Sequence, residues 1–206
     1  MTLEIPYLTY SDIGKRAQDF LSEYHSSLEL PIPIEAIIDV KMGLDIVPFP
    51  NLYRDHRLSG YLSSDRTAIF VDEMQSDQYE EKYRYTLAHE LGHYLLHESC
   101  YDNLPFRSPD QYVEWRESLT NEEISWFETH GDWFAGHVLV PTSHLETFCR
   151  EVISKYQTIF AKFTKTPEDF WSYVSNEVST YFEVNPPVVE IRIKKENIPM
   201  KIQITD

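Results

Sequence analysis

The sequence predicts an α+β fold in which a small β-sheet packs on helices and the C-terminal portion is helical. Three observations support this prediction. Short runs with strand character cluster between residues 44 and 71. A long amphipathic helix pattern follows over about 78–98. Most of the remaining sequence has apolar residues at helical spacing.

The chain has 206 residues and 42% hydrophobic content, which is enough for one domain with a well-buried core. Its two cysteines, Cys100 and Cys149, are too few for a disulfide scaffold. The N-terminus lacks the pattern of a signal peptide, and no apolar run is long enough to cross a bilayer. These features predict a soluble cytoplasmic protein with free thiols.

The charge is strongly acidic, since 34 acidic and 18 basic residues give a formal net charge of -16. Such a charge repels nucleic acid phosphates and anionic membrane surfaces. The densest basic run, from Arg192 to Lys195, is short and is interrupted by an isoleucine. We therefore expect no direct binding to nucleic acid or to membranes.

The first part of the chain predicts two helices and three strands. Ser11 or Asp12 is expected to cap a first helix that ends before Pro31. A short helix is predicted over residues 34–42. The strands, which would form a small sheet, are predicted over residues 44–47, 60–62 and 67–71.

The strongest helix prediction covers about residues 78–98. Apolar side chains at a spacing of 3.6 residues form one stripe, which consists of Tyr83, Leu87, Leu91, Tyr94 and Leu95. Roughly the opposite side, within an arc of about 100°, carries Thr86, His89, Glu90, His93 and His97. We expect one face to pack into the core and the other to present polar ligand groups.

The following segment, about 101–119, contains two prolines and mixed charge, so we expect a loop there. Thr120 and Glu123 have the spacing of a capping box, which predicts a helix that runs to Pro141. Further helices are predicted over roughly 143–163 and 167–182.

The C-terminal segment carries two conflicting signals. Asn185 before two prolines suits a helix start, whereas Val189, Ile191 and Ile193 alternate with charged residues as a strand would. We predict a short helix here, followed by a strand over residues 201–204.

A metal-binding pattern lies in the helix predicted over 78–98. His89 and His93 are four residues apart, so both rings lie on one helical face and can bind one zinc ion. Glu90 is displaced by about 100° around the helix, which favours contact with a water molecule on the metal over direct ligation. Gly92 costs about 1 kcal/mol relative to alanine in a helix interior unless a neighbour approaches closely. Together these features favour a metal site over a histidine-rich helix without a ligand.

The third ligand is open from the pattern alone. A catalytic zinc usually has three protein ligands and a water molecule. His97 lies one turn past His93 and is either a ligand, an outer residue that supports one, or a solvent-facing residue. The candidates on the helix that follows are Glu128, His130, Asp132 and His137.

Two segments show a resemblance to a known family. RYTLAHELGH, from Arg84 to His93, and ETHGDWFA, from Glu128 to Ala135, followed by VLVP, resemble the two signature blocks of the ImmA/IrrE family of bacterial zinc metallopeptidases. Gly131 stands where that family usually has alanine, and Val140 where methionine or leucine is common.

The resemblance implies a zincin-like fold with His89, His93 and Glu128 as metal ligands and Glu90 as general base. It also implies that Asp132 orients a ligand histidine, as outer carboxylates often do. We expect residues 1–145 to form the zincin-like metallopeptidase domain and residues 146–206 a helical extension packed on it. Because His/His/Glu sites accept several divalent ions, Mn²⁺ and Fe²⁺ remain open beside Zn²⁺.

The implied activity is that of an endopeptidase that cleaves a DNA-binding transcriptional repressor in a stress-response or mobile-element switch. A chain at -16 would attract such a basic protein. The alternative is a non-catalytic regulator that binds a repressor or toxin stoichiometrically.

Tyr61, Tyr85 and Arg84 are candidate donors to a developing oxyanion, and the spacing does not choose among them.

Overall fold

The computed structural model describes residues 5–102, 104–163 and 167–202. Helices surround a three-stranded sheet, so the predicted α+β class is confirmed. The strands are β1 (Asp45–Phe49), β2 (Gly60–Leu62) and β3 (Ala68–Asp72). The α-helices are α1 (Tyr10–Tyr24), α2 (Ile34–Ala36), α3 (Leu52–His56), α4 (Glu73–Gln78), α5 (Glu80–Leu96), α6 (Pro109–Glu117), α7 (Asn121–Leu139), α8 (Thr142–Phe163), α9 (Pro167–Phe182), α10 (Pro186–Lys195) and α11 (Ile198–Lys201).

The cap of α1 is Thr9, so the predicted caps Ser11 and Asp12 are wrong. The Asp12 backbone N–H donates to the Thr9 hydroxyl at 3.2 Å, and the Thr9 backbone N–H donates to Asp12 Oδ2 at 3.0 Å. This reciprocal capping box satisfies two donors that a helix start leaves unpaired. Asp12 is therefore the third residue of the helix and not its cap.

The three predicted strands are confirmed, and the predicted helix over 34–42 is present as α2 continued by a π-helical turn, Ile37–Lys41. The strand order is β1-β3-β2, with β1 parallel and β2 antiparallel to β3. Strand β2 is thus at an edge of the sheet, beside α5.

The predicted loop over 101–119 is wrong, because residues 109–117 form α6. The Gln111 backbone N–H donates to Ser108 Oγ at 3.3 Å, and Pro109 occupies the first turn. A serine cap followed by proline is a start signal that the sequence contains. The short helices α3 and α4 were not predicted either; α4 ends at Gln78, just before α5.

Helices α5 and α7 pack closely where two glycines meet. A Cβ atom on Gly92 would lie 3.1 Å from Phe134 Cβ and 3.2 Å from Gly131 Cα. This contact covers the polar face of α5, so that Glu90 and His93 are buried although they are polar. The predicted capping box of α7 is confirmed, with Thr120 Oγ1 accepting from the Glu123 backbone N–H at 3.2 Å.

The predicted C-terminal helices are confirmed as α8, α9 and α10. The strand predicted over 201–204 is wrong at Lys201, which ends α11; residues 203 and 204 lie outside the described residues. Ile198 and Ile202 are both buried, and the Ile202 N–H donates to the Ile198 carbonyl at 2.9 Å. This hydrogen bond spans four residues and closes a helical turn, which a strand does not form.

Two buried arginines join the C-terminal helices to the rest of the molecule. Arg84 on α5 donates to the Glu183 carbonyl and to the Ile32 carbonyl, each at 2.9 Å. Arg192 on α10 donates to Thr142 Oγ1 at 2.8 Å and to Glu196 Oε1 at 2.9 Å. A buried guanidinium is tolerated only when its donors are paired. None of the helices in the described part of the chain is long and apolar enough to span a membrane.

The contact between α5 and α7 predicts the effect of Gly92→Val. The new side chain would press on Gly131 and Phe134, and overpacking of this kind costs about 1–3 kcal/mol. Chemical denaturation of this variant should show that loss in the free energy of unfolding. Ser125→Val is the control, because Ser125 is exposed on α7 and reports only the helix propensity of valine. Equal losses in the two variants would contradict the close contact.

Candidate metal centre

The candidate site lies in a cleft of about 310 Å³ bounded by β2, α5, α6 and α7. The residues that line it are Arg57, Leu58, Ser59, Gly60, Lys82, Tyr85, Thr86, His89, Glu90, Tyr112, Arg116 and Glu128. A larger cavity of about 530 Å³ adjoins α2 and Arg84 but is lined by none of the predicted metal ligands. We therefore take the smaller cleft as the candidate site, because predicted metal ligands line it.

His89 and His93 face each other on successive turns of α5, with their Nε2 atoms 3.0 Å apart. Two nitrogens on one tetrahedral zinc ion, each at 2.0–2.1 Å, are about 3.3 Å apart. Ligating atoms of His89, Glu90 and His93 all lie within 4.8 Å of one another, and no other such group of His, Cys, Asp or Glu occurs among the described residues. These side chains therefore fit a metal ion.

Glu128 reaches the same site from α7. Its Oε2 lies 3.4 Å from His89 Nε2, and its Oε1 accepts from Arg116 Nε at 3.1 Å. Burial alone would raise the pKa of Glu128, but the hydrogen bonds from His89 and Arg116 lower it, which favours the carboxylate. Glu128 is close to His89 without joining the compact group of His89, Glu90 and His93, and its role as third ligand stays a prediction.

Asp132 lies one turn past Glu128 and contacts the other side of His89. Asp132 Oδ1 is 3.0 Å from His89 Nδ1 and accepts from the Tyr85 hydroxyl at 3.0 Å. Burial lowers the pKa of His89, but Asp132 and Glu128 outweigh burial and raise this pKa to about 10. The two carboxylates thus favour positive charge at His89, and Asp132 has the geometry of the predicted orienting residue.

Glu90 is 5% exposed, and its Oε2 has no hydrogen-bond partner among the described residues. Burial raises the pKa of Glu90 to about 7, against the opposing effect of His89. A buried carboxylate oxygen without a partner is costly. An unpaired carboxylate oxygen of this kind, next to two histidines, is typical of a group that binds a ligand or takes part in a reaction.

His97 and His130 form a hydrogen-bonded row behind His93. Nδ1 of His93 lies 3.0 Å from Nδ1 of His97, and Nε2 of His97 lies 3.0 Å from Nδ1 of His130. Burial lowers the pKa of all three rings, that of His97 to about 3, so they are neutral.

A neutral imidazole has one ring nitrogen that donates an N–H and one that accepts with a lone pair. The position of the proton on one ring of the row therefore determines its position on the next ring. When His93 directs its Nε2 lone pair toward His89, its Nδ1 proton is donated to His97, and His97 in turn donates from Nε2 to His130. Among the roles left open for His97, the geometry supports that of an outer residue. His130 lies behind it, and His137 contacts Arg192 at 3.3 Å instead.

Sequence reasoning missed Tyr112 and Arg116, which enter the cleft from α6. The serine and proline at the start of α6 were the signal that would have placed both on one helical face. Among the candidate oxyanion donors, Arg84 is directed to backbone carbonyls, and Tyr61 stacks on Phe70 at 4.9 Å. Tyr85 lines the cleft.

The sequence of this site region matches a known family. A model of the IrrE N-terminal-like domain matches residues 43–194, which is more than half of the chain. The chain belongs to this family. The predicted family is therefore confirmed, and membership supports a zincin-like peptidase, a hydrolase that acts on protein. The match crosses residue 145, so the division into 1–145 and 146–206 stays a prediction. No curated protein matches the chain at a significant level.

The histidine row predicts that His97→Phe weakens metal binding. Phenylalanine preserves the stacking of ring 97 on Phe127, now 4.4 Å between centroids, but removes the acceptor for His93. Loss of such an outer partner typically costs 10–100-fold in metal affinity. Competition of the protein with a chromophoric zinc chelator measures the effect. His137→Phe, a buried histidine outside the row, should bind zinc like the wild type; equal affinity in His97→Phe would contradict the assigned role.

Proposed function

We propose that this protein is a zinc-dependent endopeptidase that cleaves a DNA-binding transcriptional repressor. The observation that carries the proposal is the position of Glu90, with an unpartnered, buried carboxylate oxygen beside two histidines whose Nε2 atoms are 3.0 Å apart. A module that only binds a partner needs no such base next to a ligand pair. Membership of a peptidase family supports the same activity.

Three side chains, His89, His93 and Glu128, would hold the ion, with Asp132 orienting His89. When bound, zinc supplies a Lewis acid that polarises a carbonyl and lowers the pKa of water. Glu90 then takes the proton of the attacking water on Oε2 and delivers it to the leaving amine. Burial of Glu90 favours this role because it keeps bulk water from solvating the carboxylate.

The edge strand β2 offers a place for an extended substrate. The Ser63 N–H donates to the Ala68 carbonyl at 2.8 Å, and the Asp72 N–H donates to the Ser59 carbonyl at 2.9 Å. By antiparallel alternation, residues 59, 61 and 63 bond to β3, so the main chain of Gly60 faces the free edge. Because Gly60 lines the cleft, a substrate strand added here would pass the metal ligands.

The choice of a repressor as substrate rests on the family resemblance and on charge. A formal charge of -16 favours encounter with a basic DNA-binding protein. Such cleavage would act as a stress-response or mobile-element switch in the cytoplasm. Zinc is proposed for the His/His/Glu donor set, which Mn²⁺ and Fe²⁺ also suit.

Two substitutions separate catalysis from metal binding. Glu90→Gln should retain about one equivalent of zinc and lose cleavage, since the amide cannot accept the proton. Glu128→Ala should lose zinc affinity together with cleavage. Elemental analysis of the purified proteins, combined with cleavage of candidate repressors followed by mass spectrometry, checks both. Full cleavage by Glu90→Gln would refute the mechanism, and undiminished zinc in Glu128→Ala would point to another ligand.

Strand addition is tested best on the substrate, because a proline at Tyr61 would also break a bond within the sheet. N-methylation of single amides along a cleaved peptide should reduce kcat/KM about tenfold wherever the amide donates to β2, since each lost hydrogen bond is worth roughly 1–1.5 kcal/mol. The loss should alternate along the peptide with a period of two. A uniform effect, or none, would contradict binding along β2.

A further inference from the structure

The cleft differs in charge from the rest of the chain. Although the protein carries a formal charge of -16, the cleft is lined by Arg57, Lys82 and Arg116. Its carboxylates, Glu90 and Glu128, belong to the proposed catalytic centre. Outside that centre, the charged side chains in the lining are all cationic.

Two of these cations are available to a ligand. Arg116 is engaged with Glu128 at 3.1 Å, whereas Arg57 and Lys82 have no carboxylate partner among the ion pairs of the described residues. Both lie near the Tyr53 ring, with Lys82 Nζ 4.5 Å and Arg57 Cζ 6.0 Å from its centroid. They therefore form one cationic group, which we call the Arg57/Lys82 pair.

The backbone of Arg57 supports a role beyond solubility. Arg57 directly follows the last residue of α3 and lies in the left-handed region, with φ 61°. Glycine or asparagine usually fills such a position. An exposed arginine held in this conformation at the mouth of a cleft is an unfavourable local choice that a ligand contact would explain.

The position of the pair along the cleft follows from the elements that carry it. Gly60 packs against Thr86, since a Cβ atom on Gly60 would lie 2.6 Å from Thr86 Cγ2. Further along both elements, the Leu62 backbone N–H interacts with the Glu90 carboxylate. Strand β2 and helix α5 thus run in the same direction. Arg57 precedes Gly60 in the chain and Lys82 precedes Thr86, so both cations lie toward the same end of the cleft.

The distance from the reacting centre can then be expressed in substrate residues. Lys82 precedes His89 by seven helical residues, which is about 10 Å along the helix axis. An extended strand advances about 3.3 Å per residue. The pair therefore lies about three substrate residues from the scissile bond.

We propose that the Arg57/Lys82 pair binds an aspartate or glutamate side chain about three residues from the scissile bond of the substrate. This inference rests on the proposed function and names a feature of its substrate. The whole partner is steered by the acidic surface and is basic, whereas the segment that enters the cleft carries a carboxylate. The enzyme would thus select an acidic segment within a basic protein.

The test measures binding, so it does not depend on turnover. The probes are fluorescein-labelled decapeptides with a central Leu-Leu bond and Asp, Asn or Lys at the third residue on either side of it. The protein is full-length Glu90→Gln loaded with zinc, and fluorescence anisotropy reports the affinity. We expect the Asp peptide of one series to bind about 3- to 10-fold more tightly than the Asn peptide, with Lys weakest and the difference reduced in 0.5 M salt.

Charge reversal supplies the matched variants. Adding Arg57→Glu and Lys82→Glu should reverse the order so that the Lys peptide binds best, with zinc content unchanged. Arg54→Glu is the control, because Arg54 lies on α3 close to Arg57, pairs with Asp55 and does not line the cleft. This variant should keep the preference for Asp. No difference among the three peptides, or a preference for Asp that survives the double reversal, would overturn the inference. A preference for Asp with no cleavage by the wild type would instead refute the proposed peptidase activity alone.

Discussion

The close approach of α5 and α7 is the contact on which the site depends. Because Gly92 and Gly131 both lack a Cβ atom, the two helices meet nearly backbone to backbone, and side chains from both helices converge beside the contact. Glu128 and Asp132 of α7 then flank His89 of α5. Gly131 also makes room for the histidine ring itself, since a Cβ atom there would lie 2.8 Å from His89 Nε2. The departure from the alanine usual in the family therefore has a direct effect on the space around the proposed ligand.

The same close approach buries polar groups, and each of these groups needs a partner. His93 is hydrogen-bonded to His97, and His97 is hydrogen-bonded to His130. His89 is paired with the carboxylates of Glu128 and Asp132. Burial excludes water from the proton positions of the neutral rings of His93, His97 and His130, so their tautomers are determined by hydrogen bonding alone. A site with a defined set of lone pairs is well suited to bind a cation without rearrangement, because its ligands are already oriented. Glu90 alone keeps a buried carboxylate oxygen without a partner among the residues that the structure describes.

The C-terminal helices are hydrogen-bonded to the two helices that carry the site, α5 and α7. Arg84 belongs to the helix that carries the histidines, and it donates to main-chain carbonyls of Phe182 and Glu183 at the end of α9. Arg192 of α10 similarly contacts the main chain of Val140 at the end of α7. Each arginine thus ties one of the two site helices to the C-terminal portion through charge-assisted hydrogen bonds. The C-terminal helices therefore support the site, and none of their described residues lines the cleft.

The sequence by itself determined the helices and strands that are encoded by residues close together in the chain. Helix α5 with its HExxH pattern, the capping box of α7 and the strand runs follow from periodicity and from hydrogen bonds over three or four residues. The caps of α1 and α6 were misread or missed although their signals are equally local, and Tyr112 and Arg116 were missed with α6. Tertiary structure alone decided which face of α7 meets α5 and how His97 and His130 line up behind His93. It also decided that Arg57 and Lys82, which have no carboxylate partner among the described residues, lie together in the cleft of an acidic protein. These features join residues far apart in the chain. The first two depend on the packing at Gly92 and Gly131, and the third depends on the contact of β2 with α5 at Gly60 and Thr86. No local pattern encodes either contact.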